Sequence, residues 1–173
     1  MNLIITCARH FEIETKEEIT RILDNLGDSK AQTSISDMPG ILTVESNLEP
    51  IKIIHDIRDM ILDEPWSVRY CLRFIPIQKL VETELTEIKN GVKSLLSKIN
   101  KDETYRISIE KRNSTISSQE LITNVASDIK NKVSLEKPDK IILIEILGKK
   151  TGISIIKESN ILSTEKLKRS ISE

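Results

Sequence analysis

The sequence predicts an α+β protein of two modules in tandem, and three observations carry that prediction. Short runs with a two-residue apolar period alternate with longer runs of helical period. Isoleucine occurs 30 times in 173 residues while aromatics make up 3%, a core of β-branched aliphatics that suits half-buried sheets and leaves few stacking surfaces. Charge also divides along the chain: residues 1–80 hold 9 basic and 13 acidic side chains, and residues 81–173 hold 17 and 14.

The first module, residues 1–80, opens on a central strand, since Leu3, Ile5 and Cys7 alternate with Asn2, Ile4 and Thr6 and both sides carry apolar residues. Thr15-Lys16-Glu17-Glu18 reads as a capping box, followed by Ile19, Ile22, Leu23 and Leu26 on one helical face and Gly27 as a stop. Residues 31–36 and 41–45 form a hairpin pattern around Asp37-Met38-Pro39-Gly40. Pro50 marks a second helix carrying Ile51, Ile54, Ile57 and Ile61. Beyond Pro65, Val68, Tyr70, Leu72 and Phe74 alternate with Arg69, Cys71 and Arg73 as a last strand, and Trp66 reads as a packed anchor. The order is βαββαβ, that of a ferredoxin-like split βαβ.

The second module, residues 81–160, reads αβαββ. Leu85, Ile88, Val92, Leu95, Leu96 and Ile99 mark a helix, and Tyr105, Ile107 and Ile109 a strand. Ser117-Ser118-Gln119-Glu120 is a second capping box, opening a helix with Leu121, Ile122, Val125, Ala126 and Ile129 inward. Ile141 to Leu147 is an almost unbroken apolar run, as for a strand buried on both faces, and Gly148-Lys149-Lys150-Thr151-Gly152 loops to Ile153, Ile155 and Ile156. Residues 161–173 read as a C-terminal tail, whose last stretch, 163–173, has few apolar side chains and contains Lys166, Lys168 and Arg169, the pattern of a frayed or docking segment.

Composition excludes several classes. The balance of 26 Lys+Arg against 27 Asp+Glu gives a formal charge of −1, so no global field draws the chain to a polyanion or membrane. With 38% apolar and 31% charged residues, 5 Gly and 5 Pro, it is neither disordered nor collagen-like. The N-terminus shows no basic leader and no apolar run nears about 18 residues, so a soluble, cytoplasmic protein is expected. No Walker loop, GxGxxG or GxSxG is present, His10 and His55 lack a neighbouring nucleophile, and Cys7 and Cys71 have no metal-ligand spacing. No catalytic residue, cofactor or metal is therefore expected. Glu17, Glu18, Asp59 and Asp63 read as a solvated face.

Three places could hold an anion. Lys111-Arg112-Asn113-Ser114-Thr115 joins a strand to a capped helix, where cations and hydroxyls beside unpaired amides suit a phosphate. Lys149 and Lys150 sit between two glycines, with Lys137 and Lys140 as possible additions, and a plain solubilising hairpin is the alternative. Arg9 precedes the first helix and either binds phosphate or pairs with Glu12 or Glu14. Arg69 and Arg73 would lie on the open sheet face. Without an aromatic pair there, stacking of unpaired bases is not expected.

The stretches TYRISIEKRNS (104–114), SQELITNVASDI (118–129), VSLEKPD (133–139), IILIEI (141–146) and GISII (152–156), in that order, resemble the THUMP domain. TCARHFEIE (6–14), with Glu17, Glu18 and Ile19 beyond it, resembles the ferredoxin-like domain that precedes THUMP in tRNA-modifying proteins. The resemblance covers about residues 1–157 and implies a tRNA-binding pair of modules that takes the acceptor stem and CCA end. In most relatives the pair is fused to a methyltransferase, thiouridine synthase or deaminase, for which this length leaves no room. The stand-alone form resembles the adaptor of the RNA acetyltransferase that makes N4-acetylcytidine in the tRNA D-arm, with acetyl-CoA and ATP bound by the enzyme. On that resemblance Lys111, Arg112, Asn113, Ser114, Lys149, Lys150 and Arg9 would face RNA. An accessory subunit of a tRNA methyltransferase or thiolation enzyme, a ferredoxin-like small-molecule sensor and a protein scaffold are the alternatives.

Overall fold

The computed structural model describes residues 1–172. In chain order the elements are β1 (Leu3–Thr6), α1 (Glu12–Asn25), β2 (Gln32–Ile35), β3 (Ile41–Glu45), α2 (Pro50–Asp63), β4 (Arg73–Pro76) and β5 (Lys79–Glu82). They continue with α3 (Leu85–Leu95), β6 (Tyr105–Arg112), α4 (Ser118–Ala126), β7 (Lys140–Leu147), β8 (Lys150–Ile156), β9 (Leu162–Ser163) and α5 (Thr164–Ser172). These gather into two compact units, Met1–Pro76 with the segment from Ser159 onward, and Ile77–Glu158.

The first unit holds an antiparallel sheet in the order β2-β3-β1-β4-β9. β1 lies between β3 and β4, which explains why Leu3, Ile4 and Ile5 are all fully buried. Leu3, Ile5 and Cys7 share one core with Ile19, Ile22 and Leu23 of α1 and Ile53, Ile54, Ile57 and Ile61 of α2. Glu49 caps α2, accepting from the amides of Ile51 at 3.1 Å and Lys52 at 2.8 Å, with Pro50 at the first helical position.

Several expectations need correction here. α1 begins at Glu12, not after Thr15, and the Thr15 hydroxyl donates to the Phe11 carbonyl at 2.6 Å. Glu18 is not solvated: it is buried and accepts from the amides of Arg69, Tyr70 and Cys71 at 2.8, 2.9 and 2.9 Å. Because those amides are taken by a carboxylate, residues 69–71 give none to a neighbouring strand; the Leu72 amide donates to the Thr6 carbonyl at 2.8 Å, and β4 runs from Arg73. Trp66 is no packed anchor but lies 75% exposed on a 3-10 turn over Pro65–Ser67.

A further correction concerns the supposed tail. Leu162 is buried, β9 pairs with β4, and the Thr164 hydroxyl donates to the Cys71 carbonyl at 3.0 Å. Leu167 of α5 packs on the core of the first unit, and the Lys168 ammonium reaches the Val68 carbonyl. Two apolar residues and a strand edge suffice to anchor a segment whose composition suggests fraying.

The second unit is a four-stranded sheet in the order β5-β8-β7-β6, with β6 and β7 parallel and the other pairs antiparallel. Ile88 and Val92 of α3, Leu121 and Val125 of α4, Tyr105, and Ile142, Ile144, Ile146, Ile153 and Ile155 form its core. β7 is buried along Ile141–Ile146, as the apolar run predicts. The edge strand β5 adds an element ahead of the expected αβαββ. Gly152 lies in β8, not in the loop, where a Cβ would come within 2.8 Å of the Ile77 side chain.

Candidate nucleic-acid interface

β6 ends at Arg112, where the Gly148 amide donates to its carbonyl at 2.8 Å and so ties the strand end to the β7–β8 turn. The next residue, Asn113, has φ of 53°, a left-handed conformation that asparagine tolerates better than most residues. Ser114 accepts from the Ile116 amide at 3.3 Å, and Ser117 caps α4 by accepting from the Glu120 amide at 3.2 Å. Gly148 turns the β7–β8 hairpin with φ of 60°. Beyond it, the Lys149 carbonyl accepts from the Thr83 amide at 2.9 Å, and the hydroxyls of Thr83 and Thr151 bond at 2.8 Å. The ends of β5 and β6 and the β7–β8 turn thereby meet around an open cleft of about 650 Å³, with Asn113, Ser114, Thr115, Gly148 and Lys149 on one side and Glu82, Thr83 and Glu84 on the other.

The structure thus brings Asn113, Ser114 and Lys149 together, although Lys149 lies 36 positions beyond Asn113 in the sequence. The remaining cations differ in what they can offer. Lys111 is exposed and donates to the Ile116 carbonyl at 2.9 Å, a bond that leaves its charge uncompensated. Arg112 is committed: its guanidinium pairs at 2.7 Å with Glu145, which is fully buried on neighbouring β7. A ligand phosphate could take Arg112 only by breaking its pair with a carboxylate buried in the interior, at a cost of about 3–5 kcal/mol. Lys150 opens β8 and pairs with Glu82, but both are more than half exposed, so exchange for another anion is cheap. Lys140 pairs with Glu103 at 3.2 Å at the opposite end of β7 and adds nothing to the turn.

Arg9 belongs to the first unit, is exposed, and forms no ion pair among the described residues. Glu12, its expected alternative partner, accepts from the Gly40 amide at 3.0 Å, which holds its carboxyl below the ordinary value. Cys7 and Cys71 are buried free thiols, and burial followed by the Glu18 carboxylate pushes Cys71 well above its ordinary range, so neither is poised as a nucleophile. No cluster of three or more His, Cys, Asp or Glu suited to a metal occurs among the described residues, and none of their helices is long and apolar enough to cross a membrane.

Chemically, the cleft offers hydroxyls, an asparagine amide, turn backbone and one to three lysines, beside two glutamates. That set fits placed contacts to phosphate and ribose better than bulk electrostatic capture. The sequence reading also missed a contact in the first unit: the rings of Phe11 and Tyr70 stack with centroids 5.7 Å apart. Fifty-nine positions separate them, and the Glu18 carboxylate, read as a cap, helps tie their segments together.

Residues 82–156 match the family model of the THUMP domain. An uncharacterized protein of Methanocaldococcus jannaschii is 28% identical over 178 aligned positions, which take in 100% of this chain and 46% of that one. Among solved structures, PH1313 from Pyrococcus horikoshii superimposes with a TM-score of 0.65 at 16% identity, covering 91% of this chain and 55% of its own. A 4-thiouridine synthetase solved as an RNA complex with bound ATP gives 0.51 at 13% identity, over 91% of this chain and 42% of that one. At such identities the likeness is one of fold. The chain spans about half the length of the proteins it matches. A THUMP domain, the module associated with tRNA binding and modification, therefore occupies residues 82–156 and contains every residue of the cleft.

Proposed function

We propose that the chain is a cytoplasmic tRNA-binding adaptor that performs no chemistry itself and presents the acceptor stem and CCA end to a catalytic partner. The favoured partner is the RNA acetyltransferase that forms N4-acetylcytidine in the D-arm. The observation that carries the reading is the coincidence of the THUMP match with the strand-end cleft, where Asn113, Ser114 and Lys149 converge. Lys111 and Lys150 contribute charge at the rim, Arg9 contributes from the first unit, and Arg112 serves the fold. The βαββαβ order of the first unit, with strands in the order β2-β3-β1-β4, supports its ferredoxin-like reading.

A-form stems are recognised through phosphates and 2′-hydroxyls, which asks for a few placed polar groups and not for high net charge. An adaptor raises the enzyme's effective concentration at one site without making new contacts of its own to the reacting base. The same module serving a sulfur- or methyl-transfer enzyme is the second reading, favoured by the fold shared with a 4-thiouridine synthetase. Reconstitution with each candidate enzyme on unmodified tRNA, with mass-spectrometric mapping of the product, separates the two. The adaptor reading predicts an acetylated cytidine that requires this chain and weaker binding once the CCA end is removed. A thermal shift with a metabolite and indifference to tRNA would contradict it.

A further inference from the structure

We propose that Phe11, Tyr70 and Arg69 form a stacking seat on the first unit for an unpaired RNA base, an inference that rests on the RNA-binding reading above. The chain has five aromatic side chains, and two of them stack on each other at the surface, Phe11 being 46% exposed. Their planes lie within 25°, and the Arg69 guanidinium carbon sits 5.4 Å from the centre of the Tyr70 ring. The three side chains line a shallow depression of about 280 Å³ with Ala8 and Leu72. That is below the ~300–1,000 Å³ usual for drug-sized ligands, so a single base is the better fit.

The seat is rigidly mounted. The Phe11 carbonyl accepts from both the amide and the hydroxyl of Thr15, at 2.9 and 2.6 Å, and its amide donates to the Ala8 carbonyl at 3.2 Å. One turn along α1, Glu18 fixes the amides of Arg69 and Tyr70. Both ring carriers are therefore pinned to the same helix, and ordering them costs little when a ligand arrives. The chemistry is that of single-strand binding sites: an aromatic face open to water, a guanidinium beside it, and an exposed cation, Arg9, two residues from Phe11 for the flanking phosphate. A peptide partner would be expected to find a larger apolar surface than this depression provides.

Fluorescence anisotropy of the full chain with a labelled adenosine RNA hexamer, against an abasic hexamer of equal phosphate number, tests the seat. The adenosine hexamer should bind more tightly, and Phe11→Ala or Tyr70→Ala should weaken it about 5- to 100-fold while leaving the abasic hexamer unaffected. Phe11→Tyr and Tyr70→Phe should retain the preference, which guards against a mere folding defect, as does an unchanged thermal melt. Equal affinity for the two hexamers, or alanine variants that bind as the parent does, overturns the seat. If that happens while tRNA still binds and depends on Lys111 and Lys149, only this inference falls. If tRNA is not bound either, the adaptor reading falls with it.

Discussion

The first unit buries the carboxylates of Glu18 and Asp28 and the second that of Glu145, and Glu18 and Glu145 are neutralised in different ways. Glu18 in the first unit is held by three backbone amides. Glu145 in the second is held by the guanidinium of Arg112 at 2.7 Å. The amide solution uses groups that every residue but proline carries, so Arg69 stays at the surface over Tyr70. The guanidinium solution consumes an arginine that a reading of the sequence assigns to a ligand. A basic run beside a helix start therefore reports available charge only after its buried partners have been found.

Breaking Arg112 is expected to have the largest effect. Arg112→Ala leaves Glu145 buried without its cation and should cost about 3–5 kcal/mol in chemical denaturation. Arg112→Met with Glu145→Leu should recover most of that loss, because an apolar pair of similar volume is often as stable as a buried ion pair. Lys150→Ala, at the exposed pair with Glu82, should change stability by less than about 1 kcal/mol. A loss of several kcal/mol there would contradict the contrast.

Glu18→Ala comes next, at about 2–4 kcal/mol, since three amides lose their acceptor. Amide exchange at Arg69, Tyr70 and Cys71 should accelerate more than at Ile54 and Ile57 of α2, and uniform acceleration would argue against a local clamp.

The smallest effect is the pH dependence. The Ser46 hydroxyl and then the Asn47 amide hold the Asp28 carboxyl below its ordinary value of 3.8, and the Thr104 amide and hydroxyl do the same for Asp139. A depressed carboxyl stabilises the fold above its unfolded value and loses that contribution as pH falls through the folded value. Stability should therefore hold above pH ~4 and decline below it. Asp28→Asn should make the acid side of a melting curve shallower.

The sequence made the strand patterns legible where burial is two-sided or strictly alternating. β1 and β7 show their apolar runs, and the Ser117 cap and the α3 and α4 stripes lie where spacing puts them. Residues 68–72 mislead because Val68, Tyr70 and Leu72 alternate like a strand while the amides of Arg69, Tyr70 and Cys71 serve Glu18. β5 is too short, at four residues, to announce itself, and the β9–α5 segment is held by strand pairing and Thr164 more than by apolar content. At the cleft, Asn113, Ser114 and Lys149 were legible as turn chemistry. The pairing of Arg112 with a residue 33 positions away depends on β6–β7 register, which no local pattern encodes.

The most direct measurement compares tRNA affinity for two double variants across a salt series. Lys111→Ala with Lys149→Ala should weaken binding about 10-fold and flatten the slope of log affinity on log salt by up to about two. Arg112→Met with Glu145→Leu should bind as the parent does. Unchanged binding by the lysine pair, or a collapse confined to a folded Arg112 variant, would contradict the assignment of the cleft and of its structural arginine.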